Sequence, residues 1–584
     1  METVPEEQQT GNAGGASNYE GLLRMDATWK AIRNMKEGAA AGPAPVFVRE
    51  RRGEAWGGGP TEYDVVVAGG TLGVFQACAL QLAGLKVAVV ERGPLRGRNQ
   101  DWNIARKELW GLVRAGVLSE EEAEAAISIE FNPMRAGFKL GEDDPDGFEV
   151  YMDDVLNLGV SAVKLVEAAA ARFRAAGGTV LEFAATTGIT VYDNAAVLTL
   201  EGSGGDEIVR EVGTKLVLDC MGMASPIVRQ LRHGQKPDGV CLVVGSCGRG
   251  YPEENNKSGD IIYANTPVME KESGSSVQYF WEAFPAGTGP TDRTTYMFTY
   301  MDAHPDRPSV RELFDDYWEL LPKYQGLAAE DQQLLRVLYG LFLTYKDSPL
   351  RPGFDRVLQI GDASGIQSPL SFGGFVCLTR HIGRLTGALA DCVRLDRLSR
   401  EDLALVNAYQ PNLSGAWMFQ KAMSVAVGQR AAPGIVVRTL QNNFGAMNSF
   451  GDPVLRPFLQ DVVQFDLLLK TLVQAFILDP LAVPPLLFHV GLPALIDWMG
   501  HFAQLWWYST LYNLIGRGKE AELVAAADNE GGAAAAAERF AWARRVEAWK
   551  YGSGLDYEYH APPPPLSSSS TSVAAAREEK QRQQ

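Results

Sequence analysis

The sequence has no CxxC pair, no HExxH motif and no long basic stripe. Each absence excludes a class of function. Six scattered cysteines, Cys78, Cys220, Cys241, Cys247, Cys377 and Cys392, sit mostly in apolar runs and read as buried reduced thiols, not a disulfide framework. Six histidines without ligand spacing give no support for a metal site. A net charge of −17 speaks against a nucleic-acid partner. The start, METVPEEQQTGNAGG, is neither a signal peptide nor an arginine-rich transit peptide. Either the protein stays where it is made or this N-terminus belongs to a longer precursor. Nor is there a clean apolar run of about 20 residues of the kind a spanning helix needs.

What is present points to a folded protein of several lobes: 584 residues, 46% hydrophobic and 21% charged. Residues 1–60 are largely polar and read as a flexible N-terminal arm, apart from a short helical stretch around 25–35. YDVVVAGG (63–70) and GLKVAVVE (84–91) are buried strands flanking a helix, one βαβ unit of a parallel sheet. Residues 162–176 predict an alanine-rich helix ended by Gly177 and Gly178. Residues 188–202 predict a hairpin turning at Asp193–Asn194, and 215–222 another buried strand. Strand-like runs at 239–247, 260–265, 277–284 and 293–301 suggest a second, antiparallel sheet. Ser309 with Glu312 is a capping-box start of a helix.

From about 452 the chain becomes very apolar, yet Asp479, Asp497 and four prolines interrupt it. Its aromatics, Trp498, Trp506, Trp507, Tyr508 and Tyr512, suit a membrane interface, and equally a helical subdomain packed on the core. The alanine-rich stretch 524–537 reads as a loop insertion, and the tail 561–584 as low complexity and disordered. The fold class is therefore α/β. A discontinuous Rossmann-type domain (61–238 and 345–400) carries an antiparallel-sheet substrate domain (239–344) and an apolar, helical, membrane-associated or internally packed region (401–560).

Ala68, Gly69, Gly70, Thr71, Leu72 and Gly73 occupy the turn between the first strand and its helix. Against the dinucleotide pattern GxGxxG, Gly70 and Gly73 match and Ala68 replaces the first glycine. Glu91 ends the second strand 23 residues after Ala68, near the spacing of a ribose-binding acid, with Arg92 beside it. The helix N-terminus offers N–H groups to phosphates. Strand, glycines, helix, strand and acid in order predict a dinucleotide site.

Gly361-Asp362-Ala363, followed by Pro369 and Gly373-Gly374, resembles the second FAD motif of the flavoprotein hydroxylase superfamily, which implies an aspartate on the ribityl chain. DCMGMASPIVR (219–229) resembles its middle motif, with Gly222, Ser225 and Arg229 in matching places. Whole segments go further. VVVAGGTLGVFQACAL, QDWNIARKELWGLVRAGVLSEEEAE, FWEAFPAGTGPTDRTTYMFTY, GDASGIQSPLSFGGF and GDPVLRPFLQD look like the CruA/CruP class of lycopene cyclases, closest to the CruP branch. The resemblance implies a FAD-binding carotenoid-metabolism protein, located in the chloroplast of a eukaryote. It does not carry the reaction with it. Tyr279, Trp281, Phe284 and Pro285 are also similar to the substrate motif of geranylgeranyl reductases in the same superfamily. Related flavoproteins contact FAD after the second strand, which makes Trp102 and Arg106 candidates.

Lycopene cyclisation involves no net redox change: a proton adds, a carbocation forms, a ring closes and a proton leaves. It needs an acid, cation stabilisation and exclusion of water, and reduced flavin can supply negative charge beside the cation. Glu282 is the candidate acid, because desolvation among aromatics raises a carboxyl pKa. Tyr279, Phe280, Trp281 and Phe284 are the candidate substrate-binding aromatics. Strand alternation puts Tyr279 and Trp281 on one face, Phe280, Glu282 and Phe284 on the other. Only one set can face the flavin, and the alternative leaves Glu282 exposed or paired with Arg293. Asp292-Arg293 themselves read as a salt bridge at a turn. Two other functions stay open: a redox flavoenzyme on an isoprenoid or xanthophyll, with NAD(P)H as reductant, and a non-catalytic regulatory flavoprotein.

Overall fold

Val65, Val66 and Val67 are fully buried, because β-branched side chains on both faces of a central strand pack against flanking layers. In the computed structural model, which describes residues 18–36, 43–141, 143–202, 210–366, 370–371, 373–525 and 532–557, this strand, Tyr63–Ala68, lies at the centre of the first sheet. Val87–Val90 and then Thr179–Leu181 run parallel to it on one side. Arg210–Asp219 runs parallel on the other side and pairs in turn with Val357–Gln359, so two distant chain segments complete the parallel core. The predicted hairpin is Ala184–Tyr192 with Ala196–Gly202, which extends the sheet through Arg210–Asp219. Helices Gly73–Leu82 and Ala162–Ala175 cover one face; Ser161 caps the second, accepting from the Lys164 N–H.

The second sheet has seven strands in the order Gln333–Thr344, Gly239–Arg249, Asp292–Met301, Phe280–Pro285, Gly259–Ala264, Met134–Phe138, Phe148–Met152. Its last two strands differ from the sequence expectation. They fall within 61–238, yet they belong to this sheet, and Met134–Phe138 pairs parallel with Gly259–Ala264. The predicted run 277–284 also divides, since Ser276–Val277 pairs separately with Met269–Glu270.

The N-terminal arm departs further from expectation. Asn18–Arg33 is a helix whose Trp29 is fully buried against the back of the second sheet and donates its indole N–H to the Pro308 carbonyl at 2.8 Å. Val48–Arg51 pairs parallel with Ala184–Tyr192. Burying one large aromatic outweighs the polarity of its neighbours. Residues 526–531 of the alanine-rich stretch lie outside the described residues, and Ala533–Gly552 is helical. The tail 561–584 also lies outside them.

The apolar region folds as successive helices, among them Ile435–Ser449, Asp452–Leu459, Phe465–Leu478, Val483–Val490 and Leu492–Leu511. No single described helix is long and apolar enough to cross a membrane; Phe465–Leu478 and Pro480–Val490 meet at a bend of 101°.

Candidate functional site

A cleft of about 1000 Å³ runs between the two sheets. That volume lies at the upper end of the roughly 300–1,000 Å³ usual for ligand pockets. Its floor is the glycine turn. Gly69, Gly70, Thr71, Leu72 and Gly73 line it, followed by Glu91 and Arg92. Gly69 has φ +95 and a Cβ there would sit 2.6 Å from the Cys220 carbonyl oxygen. Only glycine allows both. The Glu91 carboxylate accepts from the Gly70 N–H at 2.7 Å and from the Gly93 N–H at 3.3 Å, which ties the acid to the turn. Ala68 does not line the cleft; it is buried in the strand, and its carbonyl accepts from the Cys220 N–H.

The middle segment forms the adjoining wall. Asp219 is fully buried, accepts from Ser225 Oγ at 2.6 Å and from the Met221 N–H at 3.0 Å, and is pushed up to about 6 by burial. Its role is to fold this loop so that Cys220, Met221 and Gly222 face the cleft.

Gly361, Asp362, Gly373 and Gly374 line the opposite side; Pro369 lies outside the described residues. Among the described residues Asp362 Oδ1 is buried without a hydrogen-bond partner, and burial raises this carboxyl while Arg98 opposes the rise. A buried carboxylate oxygen with nothing to accept from is costly. A ligand hydroxyl in the cleft is the partner such an atom requires. With the glycine turn, two helix N-termini (Gly73–Leu82 and Gly374–Arg394) and this orphaned oxygen, the residues present fit a flavin dinucleotide.

Arg106 is not part of the site. It pairs with Glu124 and with Glu130 (2.8 Å) on the surface. Arg98, Gln100 and Trp102 line the cleft instead. Trp102 is held by Phe375, ring centroids 4.7 Å apart.

The second sheet settles the alternation question. Glu282 and Phe284 face the cleft, with Tyr296 directly across from Glu282 on the neighbouring strand. Phe280 shares their face but packs behind Phe298 (5.6 Å) and Tyr300 (5.8 Å), which do line the cleft. Tyr279 and Trp281 point away, contrary to their expected substrate role. Trp281 stacks on Tyr324 at 4.5 Å and donates to Asn265 at 3.0 Å, and the Tyr279 hydroxyl donates to Asp316. Both belong to the core under helix Val310–Gln325, whose large side chains need that face of the sheet.

Glu282 is not paired with Arg293, which donates to Asn256 and to the Ser258 carbonyl. Asp292 and Arg293 do not bridge each other either. They are successive strand residues on opposite faces, and Asp292 accepts both bonds of a forked pair from Arg249, at 2.7 and 2.9 Å. Burial first, and the charge of Asp461 second, push the Glu282 carboxyl up to about 8. It therefore carries its proton at neutral pH. Beyond it the cleft is apolar, walled by Val243, Phe298, Phe342, Met423, Phe444 and Met447.

Sequence reasoning missed Arg98, Tyr296, Tyr300 and Asp461 in the cleft. The two tyrosines were accessible through pairing: on adjacent antiparallel strands they stand across from Glu282 and Cys241.

No family model and no curated protein matches the sequence. Solved structures do share the fold. One is a geranylgeranyl bacteriochlorophyll reductase-like protein from Thermoplasma acidophilum, 12% identical with a TM-score of 0.51, over 76% of this chain and 100% of that one. Another is the halogenase PltM in complex with phloroglucinol and FAD, 13% identical with a TM-score of 0.51, over 85% and 99% of the two chains. The architecture is thus the Rossmann-type α/β fold of flavoproteins. At such identities the likeness is one of fold, and the chemistry has to be argued from the cleft.

Proposed function

We propose that this chain is a FAD-binding enzyme that cyclises the end group of a linear polyene, with Glu282 as the proton donor. The observation that carries the reading is a carboxyl pushed up to about 8 on the wall between the dinucleotide motif and an apolar lobe. Gly70 and Gly73 would hold the pyrophosphate, Glu91 the ribose and Asp362 the ribityl hydroxyls. Bound in its reduced form, the flavin supplies negative charge beside the developing cation. Glu282 gives its proton to the terminal double bond. Phe284, Phe298 and Tyr300 present ring faces to the cation. The apolar lobe excludes water, which would otherwise capture it.

Anaerobic incubation with lycopene in lipid micelles, with FAD either oxidised or reduced, tests this. Cyclic product is expected with reduced flavin only, with no NAD(P)H consumed per product. A second reading, a redox reaction on an isoprenoid or xanthophyll, is favoured by the fold likeness to a reductase-like protein and a halogenase. NAD(P)H consumed in proportion to product would establish it instead. Binding of polyene without any product would indicate a non-catalytic flavoprotein.

Such a substrate resides in lipid, and we propose that the apolar helices dock on a membrane surface. Across 464–516 only Asp466, Lys470, Asp479 and Asp497 carry full charge. Leu481 (82%), Phe488 (86%) and Leu514 (79%) are among many large apolar side chains left exposed there. Helix Ile435–Ser449 joins this surface to the cleft, packing on Phe465–Leu478 through Asn442, which donates to the Ala475 carbonyl, and lining the apolar lobe with Leu440, Phe444 and Met447. The double substitution Leu481→Glu, Phe488→Glu removes two side chains worth about 1.5–3 kcal/mol each on burial. Partitioning onto liposomes should fall on the order of a hundredfold or more. Unchanged co-sedimentation would sink the idea.

A further inference from the structure

Helix Ile435–Ser449 lines the cleft with Leu440, Asn443, Phe444 and Met447. Their spacing, i, i+3, i+4 and i+7, is that of one helical face. Leu440, Phe444 and Met447 are apolar, as a lobe that excludes water requires. Asn443 is an amide in the middle of that stripe, half-buried, and the helix has no need of it. Asparagine is a poorer helix former than leucine. A polar group on an apolar wall is costly unless a hydrogen bond meets it.

The two amides before it have clear structural work. Gln441 donates to the Phe138 carbonyl at 3.0 Å, which fixes the helix to strand Met134–Phe138. Asn442 donates to the Ala475 carbonyl at 3.2 Å, which fixes it to helix Phe465–Leu478. Asn443 ties the helix to no other element. Its Nδ2 donates to the Thr439 carbonyl one turn back, at 2.8 Å, and among the described residues its side chain makes no further hydrogen bond. The Thr439 carbonyl can only accept, so this bond sets the orientation of the amide. The nitrogen lies against the helix, and Oδ1 is the end left open. Two hydroxyls of the same cleft are committed: Tyr300 donates to the Leu370 carbonyl and Ser371 to Asp461.

We infer that the occupant of the apolar lobe is an isoprenoid chain bearing a hydroxyl group, and that Asn443 selects it by accepting the O–H at Oδ1. The inference rests on the reading that the lobe holds such a chain, and it narrows the substrate from a hydrocarbon to an alcohol. A hydrocarbon would cover Oδ1 with apolar surface and leave it unpaired; an alcohol pairs it. A site built to hydrogen-bond a hydroxyl rejects the analogue lacking it far more strongly than an apolar pocket separates two hydrocarbons. Asn443 thereby supplies a discrimination that Leu440, Phe444 and Met447 cannot.

The test uses the full flavin-loaded protein in detergent micelles, with equilibrium binding of radiolabelled geranylgeraniol, a linear isoprenoid alcohol, and of the hydrocarbon of the same skeleton. The wild type should bind the alcohol about tenfold more tightly, the effect of one paired hydroxyl. Asn443→Leu, which keeps the size and favours the helix, and Asn443→Ala should both lose that preference while still binding flavin. Equal affinity of the wild type for the two ligands overturns the assignment, and needs no variant to be seen. A preference that survives in Asn443→Leu or Asn443→Ala overturns it also. Either result leaves the cyclisation reading to the lycopene experiment, whose outcome does not depend on this preference. Binding of neither ligand overturns both the hydroxyl assignment and the placing of an isoprenoid in the lobe.

Discussion

Glu282→Gln should retain bound flavin and lose cyclic product, with a fall in turnover on the order of 10³-fold or more, near the upper end of what one positioned acid supplies. The amide fills the same space on strand Phe280–Pro285 but has no proton to give at neutral pH. The wild-type pH profile carries the same information. With the carboxyl pushed up to about 8, the acid form predominates below that pH and the rate should decline tenfold per pH unit above it. Stability must follow. The folded-state value lies above the ordinary one of 4.5, so the fold favours the protonated form. That contribution is complete below about 4.5 and is lost as pH rises through about 8. Thermal unfolding should therefore show the Gln variant gaining on the wild type between pH 5 and pH 9. Full turnover in Glu282→Gln, or a Tm difference indifferent to pH, would remove the acid.

The parts of this site legible in the sequence are those written locally. A run such as YDVVVA has few fates other than a buried parallel strand, and the spacing of Gly70 and Gly73 reports how closely a backbone must be approached. Alternation correctly divided Tyr279 and Trp281 from Glu282 and Phe284, but could not say which set faces the ligand. That is decided by helix Val310–Gln325, whose Tyr317 and Tyr324 take Trp281 to themselves. Arg98 and Asp461 stand on loops placed by contacts distant in sequence, and Arg106 found two local carboxylates first. Trp29 shows the same limit: its polar neighbours describe an arm, and its burial depends on a surface some 280 residues away, reached at Pro308 (279 residues on). Met134–Phe138 and Phe148–Met152 are short strands that pair with each other, and Met134–Phe138 joins them to the second sheet through a strand that begins only at Gly259, beyond what local patterning reaches.

Gly374→Ala should cost the protein its flavin without costing it its fold. A Cβ at this position would lie 2.1 Å from Asp362 Oδ1, the orphaned oxygen assigned to the ribityl chain. Asp362 has a short side chain in the tight turn Gly361–Ala363, so it can yield only by swinging its carboxylate out of the cleft. Losing a hydrogen bond to a charged group is worth about 1.5–3 kcal/mol, roughly 10- to 150-fold in affinity. Displacement of the N-terminus of helix Gly374–Arg394 from the phosphate side would add to that loss. Gly374 is the first residue of its helix, where alanine and glycine differ less than in a helix interior, and the clash falls on one short side chain. The flavin-free variant should thus unfold near the wild-type apoprotein's temperature while its flavin titration, read by fluorescence quenching, weakens by two orders of magnitude. Gly69→Ala provides the contrast: at φ +95, with a backbone oxygen 2.6 Å from the new Cβ, it should lose stability and flavin together. Flavin bound by Gly374→Ala with wild-type affinity would place the ribityl chain somewhere other than Asp362, and the orphaned oxygen would need another partner.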